Sequence, residues 1–226
     1  MKAARIAIAA AFALALAAPL AAFDLESITG KFGVAVINIE RFDDSQPMAP
    51  IPIVNTLGLG LGLPFTEGST WAFRPALDFL WTNYEWDAGS SRAIPTESEQ
   101  TGSNNVFVLG LLLDLPVSYD FRFSERVGGG VQLGLAALMR ISLPGDPNLP
   151  REAVEENLAK VSAYFWGAAR WLYPSFGLRF DVFLQEGFTF ELGLRGFLPI
   201  FNAWTGDAPF LDHLTGHVSL GMRLAL

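Results

Sequence analysis

The sequence predicts an all-β fold: an eight-stranded antiparallel up-and-down transmembrane β-barrel with a short helix in its third long loop. Three observations carry this. Eight segments alternate apolar residues with polar or tiny ones, their connections alternate short and long, and the apolar parity is bulky while the other is rich in Gly, Ala and charge. Composition agrees. The 226 residues are 51% hydrophobic and only 17% charged, which excludes a largely disordered chain. The 22 Gly, 14 Pro and 19 Phe suit strands and turns better than a helical bundle. A net charge of -8 lacks the basic face that nucleic acid requires. With no cysteine, disulfides, thiolate catalysis and Cys-ligated metals are out of reach.

In chain order, the first element is an address. Lys2 and Arg5 precede an Ala-rich apolar run, Ile6 to Leu16, and small residues follow at Ala17, Ala18, Ala21 and Ala22. This order of charge, grease and small residues is that of a secretory signal peptide over 1–22, with the barrel domain over 23–226. An inner-membrane anchor is the alternative, for which so small and Ala-rich a run is poor material.

After residue 22 no stretch approaches the ~18 consecutive apolar residues of a spanning helix. A period of two runs through segments at about 30–40, 53–64, 70–83, 105–123, 126–142, 167–184, 187–199 and 214–226. The second reads Leu57, Leu59, Leu61, Leu63 against Gly58, Gly60, Gly62; the third, Trp71, Phe73, Pro75, Leu77, Phe79, Trp81 against Ala72, Arg74, Ala76, Asp78, Leu80, Thr82. The fourth runs from Phe107 to Phe123 on one parity, with Gly110, Asp114, Ser118, Asp120 and Arg122 on the other. In the first, either Phe32, Val34, Val36 or Gly33, Ala35, Ile37 suits the outer set. In the sixth, Arg170 falls on the apolar parity, so the strand starts after it or a bulge shifts the register.

Short turns around 67–69, 124–125 and 185–187 alternate with long connections at 41–52, 84–104, 143–166 and 200–213. That rhythm belongs to membrane barrels. A soluble ligand-carrying barrel would hold its apolar parity inside. Here Gly128, Gly130, Gly134, Ala136 and Gly193 suit a crowded interior, and Val131, Leu133, Leu135, Met139 and Ile141 suit lipid. Interface aromatics are expected at the outer rim at Trp81, Tyr84, Trp86, Tyr164, Trp166 and Trp204, and at the periplasmic rim at Phe32, Trp71, Phe121, Phe123, Phe188 and Phe190.

The last segment alternates Val218, Leu220, Met222, Leu224, Leu226 with His217, Ser219, Gly221, Arg223, Ala225. At this point the chain resembles the small outer-membrane barrels, such as the OmpA transmembrane domain, OmpX and OmpW. The resemblance covers the whole mature chain and rests on pattern, although members usually end in Phe or Trp. It implies the outer membrane of a diderm bacterium with both termini periplasmic, contact with outer-membrane lipids, and reading of the C-terminal strand by the barrel-assembly machinery.

Function is sought in the interior and the loops. The inward set holds Arg74, Arg122, Arg140, Arg179, Arg195 and Arg223 against Asp78, Asp114, Asp120, Asp181 and Glu191. Near-balance in a narrow lumen predicts an ion-paired network that plugs the barrel, with a polar path for a small solute as the other reading. His217 and Ser219 share a strand face, and Glu191 on the neighbouring strand is a candidate orienting acid; together they are the minimal acyl-transfer set. The pair resembles the His-x-Ser of barrel lipid A deacylases, yet it lies on the polar parity. His213 is expected to be a solvated loop histidine, no metal-ligand cluster is visible, and nothing calls for a cofactor.

In the third long loop, Val154, Leu158, Val161 and Phe165 recur at helical spacing, with Glu152, Glu155 and Glu156 early and Lys160 four after Glu156. A short helix over the barrel mouth is expected. Three roles remain open: a structural or surface-interaction barrel acting through its loops with an extracellular partner, a narrow channel for small solutes, hydrophobic ones included, and a lipid-modifying enzyme.

Overall fold

The computed structural model describes residues 24–40, 52–96, 105–145, 151–185, 187–206 and 208–226. The expected signal peptide and parts of the long connections lie outside them. The strands are β1 (Ser27–Ile37), β2 (Ile53–Pro64), β3 (Trp71–Phe73), β4 (Ala76–Asp87), β5 (Arg92–Thr96), β6 (Asn105–Arg122), β7 (Val127–Pro144), β8 (Leu172–Gln185), β9 (Phe188–Phe197) and β10 (Thr215–Ala225). β3 and β4 are one stave interrupted at Arg74-Pro75, since proline cannot donate to a ladder. The Pro75 carbonyl still accepts the Leu61 N–H at 2.9 Å.

Every stave is antiparallel to its neighbours, and β1 closes the ring. It pairs with β2 from Ser27↔Gly62 to Val36↔Ile53, and with β10 from Ser27↔Ala225 to Ile37↔Thr215. Eight staves therefore form a barrel without an edge, which satisfies backbone groups that hydrocarbon cannot.

Two details differ from expectation. β4 runs on to Asp87, and β5 pairs with it from Asn83↔Thr96 to Asp87↔Arg92, where a loop was expected. The hairpin is turned by Asp87, whose carboxylate accepts the Gly89 N–H (2.9 Å) and the Ser90 hydroxyl. With Pro95 and no clean alternation, five residues carry too little pattern to read as a strand. β8 begins at Leu172, which removes the parity conflict at Arg170; that residue lies just before it in a helical turn.

In β1 the side chains of Ser27, Thr29, Ala35 and Ile37 are buried while Phe32 and Val36 are exposed, so the set containing Phe32 faces outward. The same holds round the barrel: Leu57, Leu59, Leu133, Leu135, Leu178, Leu194, Leu220 and Met222 form an exposed apolar wall. Water would not tolerate so continuous a patch. Hydrocarbon does, and the wall is that of a transmembrane barrel.

Helix α1 (Arg151–Trp166) occupies the third long loop. Its exposed Glu156 pairs with Lys160 at 2.7 Å, one turn on, and the Lys160 ammonium holds the Glu156 carboxyl below its ordinary range. β6 and β7 have 18 residues each, about 60 Å of strand at ~3.4 Å per residue. A bilayer core about 30 Å thick needs only ~9–11 tilted residues, so the excess forms a wall beyond the membrane. Helix α1 leans on that wall. Its Val154, Val161 and Phe165 are buried, and Val161, Tyr164 and Phe165 cluster with Tyr84, Val106 and Val108.

Candidate functional site

The lumen is built in tiers from the short-turn end to the long-loop end. In the first tier, Arg74 pairs with Asp120. Arg179 reaches Asp120 through Nη2 (2.9 Å) and Asp181 through Nε (3.0 Å). Arg223 holds Asp181 through Nη2 at 3.2 Å and stands 3.7 Å from Glu191. Asp181 and Glu191 face each other across the β8–β9 ladder. Two carboxylates so placed repel, and Arg179 and Arg223 between them remove that cost. This tier opens at the short-turn end into a vestibule of about 1010 Å³.

A cavity of about 30 Å³, lined by Lys31, Asp114, Glu191, Arg195 and Ser219 among others, separates the first tier from the second. There Arg195 donates through Nη2 to Asp78 (2.6 Å) and through Nη1 to Asp114 (3.1 Å), and the Ser175 hydroxyl donates to Asp114 at 2.6 Å. Arg195 Nη2 also lies 2.9 Å from His217 Nδ1, and His217 Nε2 lies 2.7 Å from Thr56 Oγ1. A guanidinium only donates, so Nδ1 accepts; the ring is then the neutral Nε2–H tautomer, with Thr56 as its acceptor.

Glycines make this tier possible. A Cβ at Gly58 would sit 1.9 Å from Asp78 Oδ1, and one at Gly33 would sit 2.9 Å from His217 Nε2. The small parity seen in the sequence is thus the space that charged neighbours fill.

The third tier is apolar. Ala35, Ile37, Val54, Leu80, Leu112, Ala136, Leu138, Tyr173, Phe197 and Phe201 pack into one buried cluster across the lumen. Above it Arg140 donates to the Tyr173 hydroxyl (2.9 Å) and the Arg170 carbonyl (3.2 Å), with its guanidinium 4.5 Å over the Phe165 ring. Arg170 stacks in turn on Tyr164 at 4.2 Å. Helix α1 closes the mouth over both. Burial there pushes the Tyr164 phenol up to about 12.

A polar clasp ties the last long loop to this cap. Asp212 pairs with Arg92 at 3.0 Å and with His213 Nδ1 at 2.8 Å, and it accepts the Glu40 N–H at 2.8 Å. Asn202 donates to the carbonyls of Pro209, Phe210 and Asp212. Burial opposes ionisation of Asp212. The His213 hydrogen bond and charge, with help from Glu40 N–H and Arg92, outweigh it and hold the carboxyl below its usual range.

Of the eleven lumen charges expected, Arg74, Asp120, Arg179, Asp181, Glu191 and Arg223 share the first tier, and Asp78, Asp114 and Arg195 the second. Arg122 stands exposed at the short-turn mouth, 4.3 Å over the Phe183 ring, and Arg140 sits above the apolar tier. Lys31 was missed; its strand was the one whose parity the sequence left open. With it the two tiers hold five cations and five carboxylates.

The candidate catalytic set is not assembled. Both ring nitrogens of His217 are engaged elsewhere, Glu191 faces Arg223, and no hydrogen bond joins Ser219 to His217. His213 is buried, not solvated, because the clasp holds it. No sequence signal joins Arg92, at the start of the short strand β5, with Asp212 in the last long loop, 120 residues on.

Trp71, Trp81, Phe123, Trp166, Phe188 and Phe190 lie exposed on the outside, and Trp71–Tyr119 and Phe121–Phe123 ring pairs (5.1 and 5.0 Å) build a girdle at the short-turn end. Trp86 does not join the rim. It packs edge-on to Tyr164 beside Leu158, and Tyr84 and Tyr164 are buried with it, because helix α1 offers these rings an apolar face that the bare loop sequence did not reveal.

No protein-family model matches the chain, and no curated protein matches it. Among solved structures it is similar to Neisserial surface protein A (10% identity, TM-score 0.47, 88% of this chain and 96% of that one). It is also similar to the attachment invasion locus protein Ail of Yersinia pestis (11%, 0.42, 90% and 100%). A third is the N-terminal β-barrel domain of Pseudomonas aeruginosa OprF (13%, 0.40, 89% and 98%).

Proposed function

We propose that this chain is an integral outer-membrane protein of a diderm bacterium whose barrel is a closed scaffold, with a structural or surface-interaction role carried by its long loops. In this reading residues 1–22 direct export, residues 23–226 form the barrel, both termini are periplasmic, and the long loops face outward. The alternating C-terminal strand would be what the assembly machinery reads. The carrying observation is the sequence of barriers along the lumen: two ion-paired tiers, an apolar tier from Ala35 to Phe201, and helix α1 over the mouth. An ion crossing the apolar tier would shed its hydration with little to replace it, the Tyr173 hydroxyl there being already bonded to Arg140. What the barrel holds rigid is the loop end, where the long strands, the clasp and the helix fix a surface fit for recognition.

Single-channel recording in planar bilayers tests this. The purified barrel is expected to give no discrete steps, while a variant with Leu80, Leu112 and Leu138 changed to Gly opens the apolar tier. Reproducible openings from the unaltered protein would replace the scaffold by the narrow-channel reading.

A further inference from the structure

The vestibule at the short-turn end has a use that the loop-end role does not absorb. Its lining includes five arginines, Arg74, Arg122, Arg126, Arg179 and Arg223, with Glu26, Asp120, Glu125 and Asp181. The ion pairs of the first tier employ Arg74, Arg179 and Arg223 incompletely. Arg179 is 2% exposed and bonds through Nε and Nη2, but its Nη1 is buried with no hydrogen-bond partner. Arg223 is 10% exposed, and its Nη1 makes no hydrogen bond, the nearest carboxylate being Glu191 at 3.7 Å. A buried guanidinium N–H left unmade is costly, and two of them border one cavity.

At the mouth, neither Arg122 nor Arg126 has a carboxylate within ion-pair distance among the described residues. The stacking on Phe183 steadies the Arg122 guanidinium without using its N–H groups. Thr70, Ser69 and Thr189 add hydroxyls to the same lining. The apolar tier stops anything that enters from passing on. The result is a blind cup with unspent, planar N–H donors at its base and two carboxylate-free guanidinium groups at its lip, the geometry that suits oxyanions.

We propose that the vestibule binds a small oxyanion, a phosphate or carboxylate group borne by a soluble solute or a lipid headgroup. Arg179 seats the anion through its unpartnered Nη1, Arg223 adds an Nη1 that makes no hydrogen bond and has only the distant Glu191 carboxylate beside it, and Arg122 and Arg126 attract the anion and close round its outer oxygens. The carboxylates Asp120 and Asp181 keep the seat's arginines in place, so the seat is preorganised.

The test is titration of the folded barrel with inorganic phosphate and pyrophosphate, followed by arginine side-chain NMR and calorimetry. It is run in nanodiscs of zwitterionic lipid and repeated with phosphatidylglycerol added. Saturable binding is expected, with the largest shifts at Arg179 and Arg223. The lip variant R122Q/R126Q leaves every ion pair intact, so it folds, and it should bind about tenfold more weakly per charge-assisted bond lost. Thr70→Asp, which sets a carboxylate in the cup, should abolish binding. Competition by phosphatidylglycerol would assign the site to a headgroup, and its absence to a soluble anion. No saturable binding, or binding that the lip variant and Thr70→Asp leave unchanged, overturns the proposal.

Discussion

Replacing Arg195 by Met removes the one guanidinium that holds two carboxylates in the second tier. Asp78 and Asp114 each have side chains only 1% exposed, and Arg195 is bonded to them at 2.6 and 3.1 Å. Met keeps an apolar stem in the lumen and removes the guanidinium with its bonds to Asp78, Asp114 and His217, so the main loss is electrostatic. Two buried anions lose their counterion, with only Lys31 nearby across the small cavity. Removing one partner of a buried pair costs about 3–5 kcal/mol, because the other charge is left uncompensated. At a urea slope of roughly 2 kcal/mol/M, R195M lowers the unfolding midpoint by about 2 M. Tryptophan fluorescence of the barrel in urea, in thin lipid bilayers, reads this directly. The triple variant R195M/D78N/D114N removes the stranded charges as well and should recover more than half of the loss. A cost for R195M below about 1 kcal/mol, or a triple variant no more stable than the single one, would refute the claim that this tier is held by charge neutralisation.

Two further outcomes follow from other parts of the molecule. Asp212 has a lowered folded-state pKa, so its contribution is present above the unfolded value near ~3.9 and is lost as pH falls through the folded value; hydrogen exchange at the His213 N–H, which donates to Asn38 O at 2.7 Å, corrected for intrinsic rate, should stay slow from neutral pH down to that range and quicken below it, and Asp212→Asn should erase the pH dependence. Leu133, 66% exposed on the outer wall, tests the solvent on that face: Leu133→Arg should cost about 2–4 kcal/mol in a bilayer, measured by the same urea titration, and a neutral result would mean that this face meets water.

The staves were legible because a strand with lipid on one side and a packed lumen on the other must alternate. β2, β6 and β10 are read within a residue or two by that rule alone. The rule fails where both parities are acceptable to the same surroundings, as in β1, and Lys31 was lost with it. The lumen charges were legible as a set because a charge on the polar parity has nowhere else to go. Their partition into tiers was not, since height along the barrel depends on the stagger between staves, which no single strand encodes. The clasp was hidden altogether: Arg92 lies on a strand too short to carry a pattern, Asp212 and His213 lie in a loop, and the two meet only after the barrel has brought β5 and the last loop together. Tyr84 and Trp86 were misplaced for a related reason, since what an aromatic ring touches depends on the cap above it.

Asp78 projects into the gap where Gly58 has no side chain, and His217 does the same over Gly33. Each of these is a tenon cut for one mortise on the next stave. Exchanging a glycine for alanine must push out its carboxylate or imidazole, whereas enlarging the outside by a methyl disturbs only fluid lipid. The two surfaces of one thin wall therefore age differently: the inner changes in matched couples across a seam, and the outer drifts freely among greasy residues.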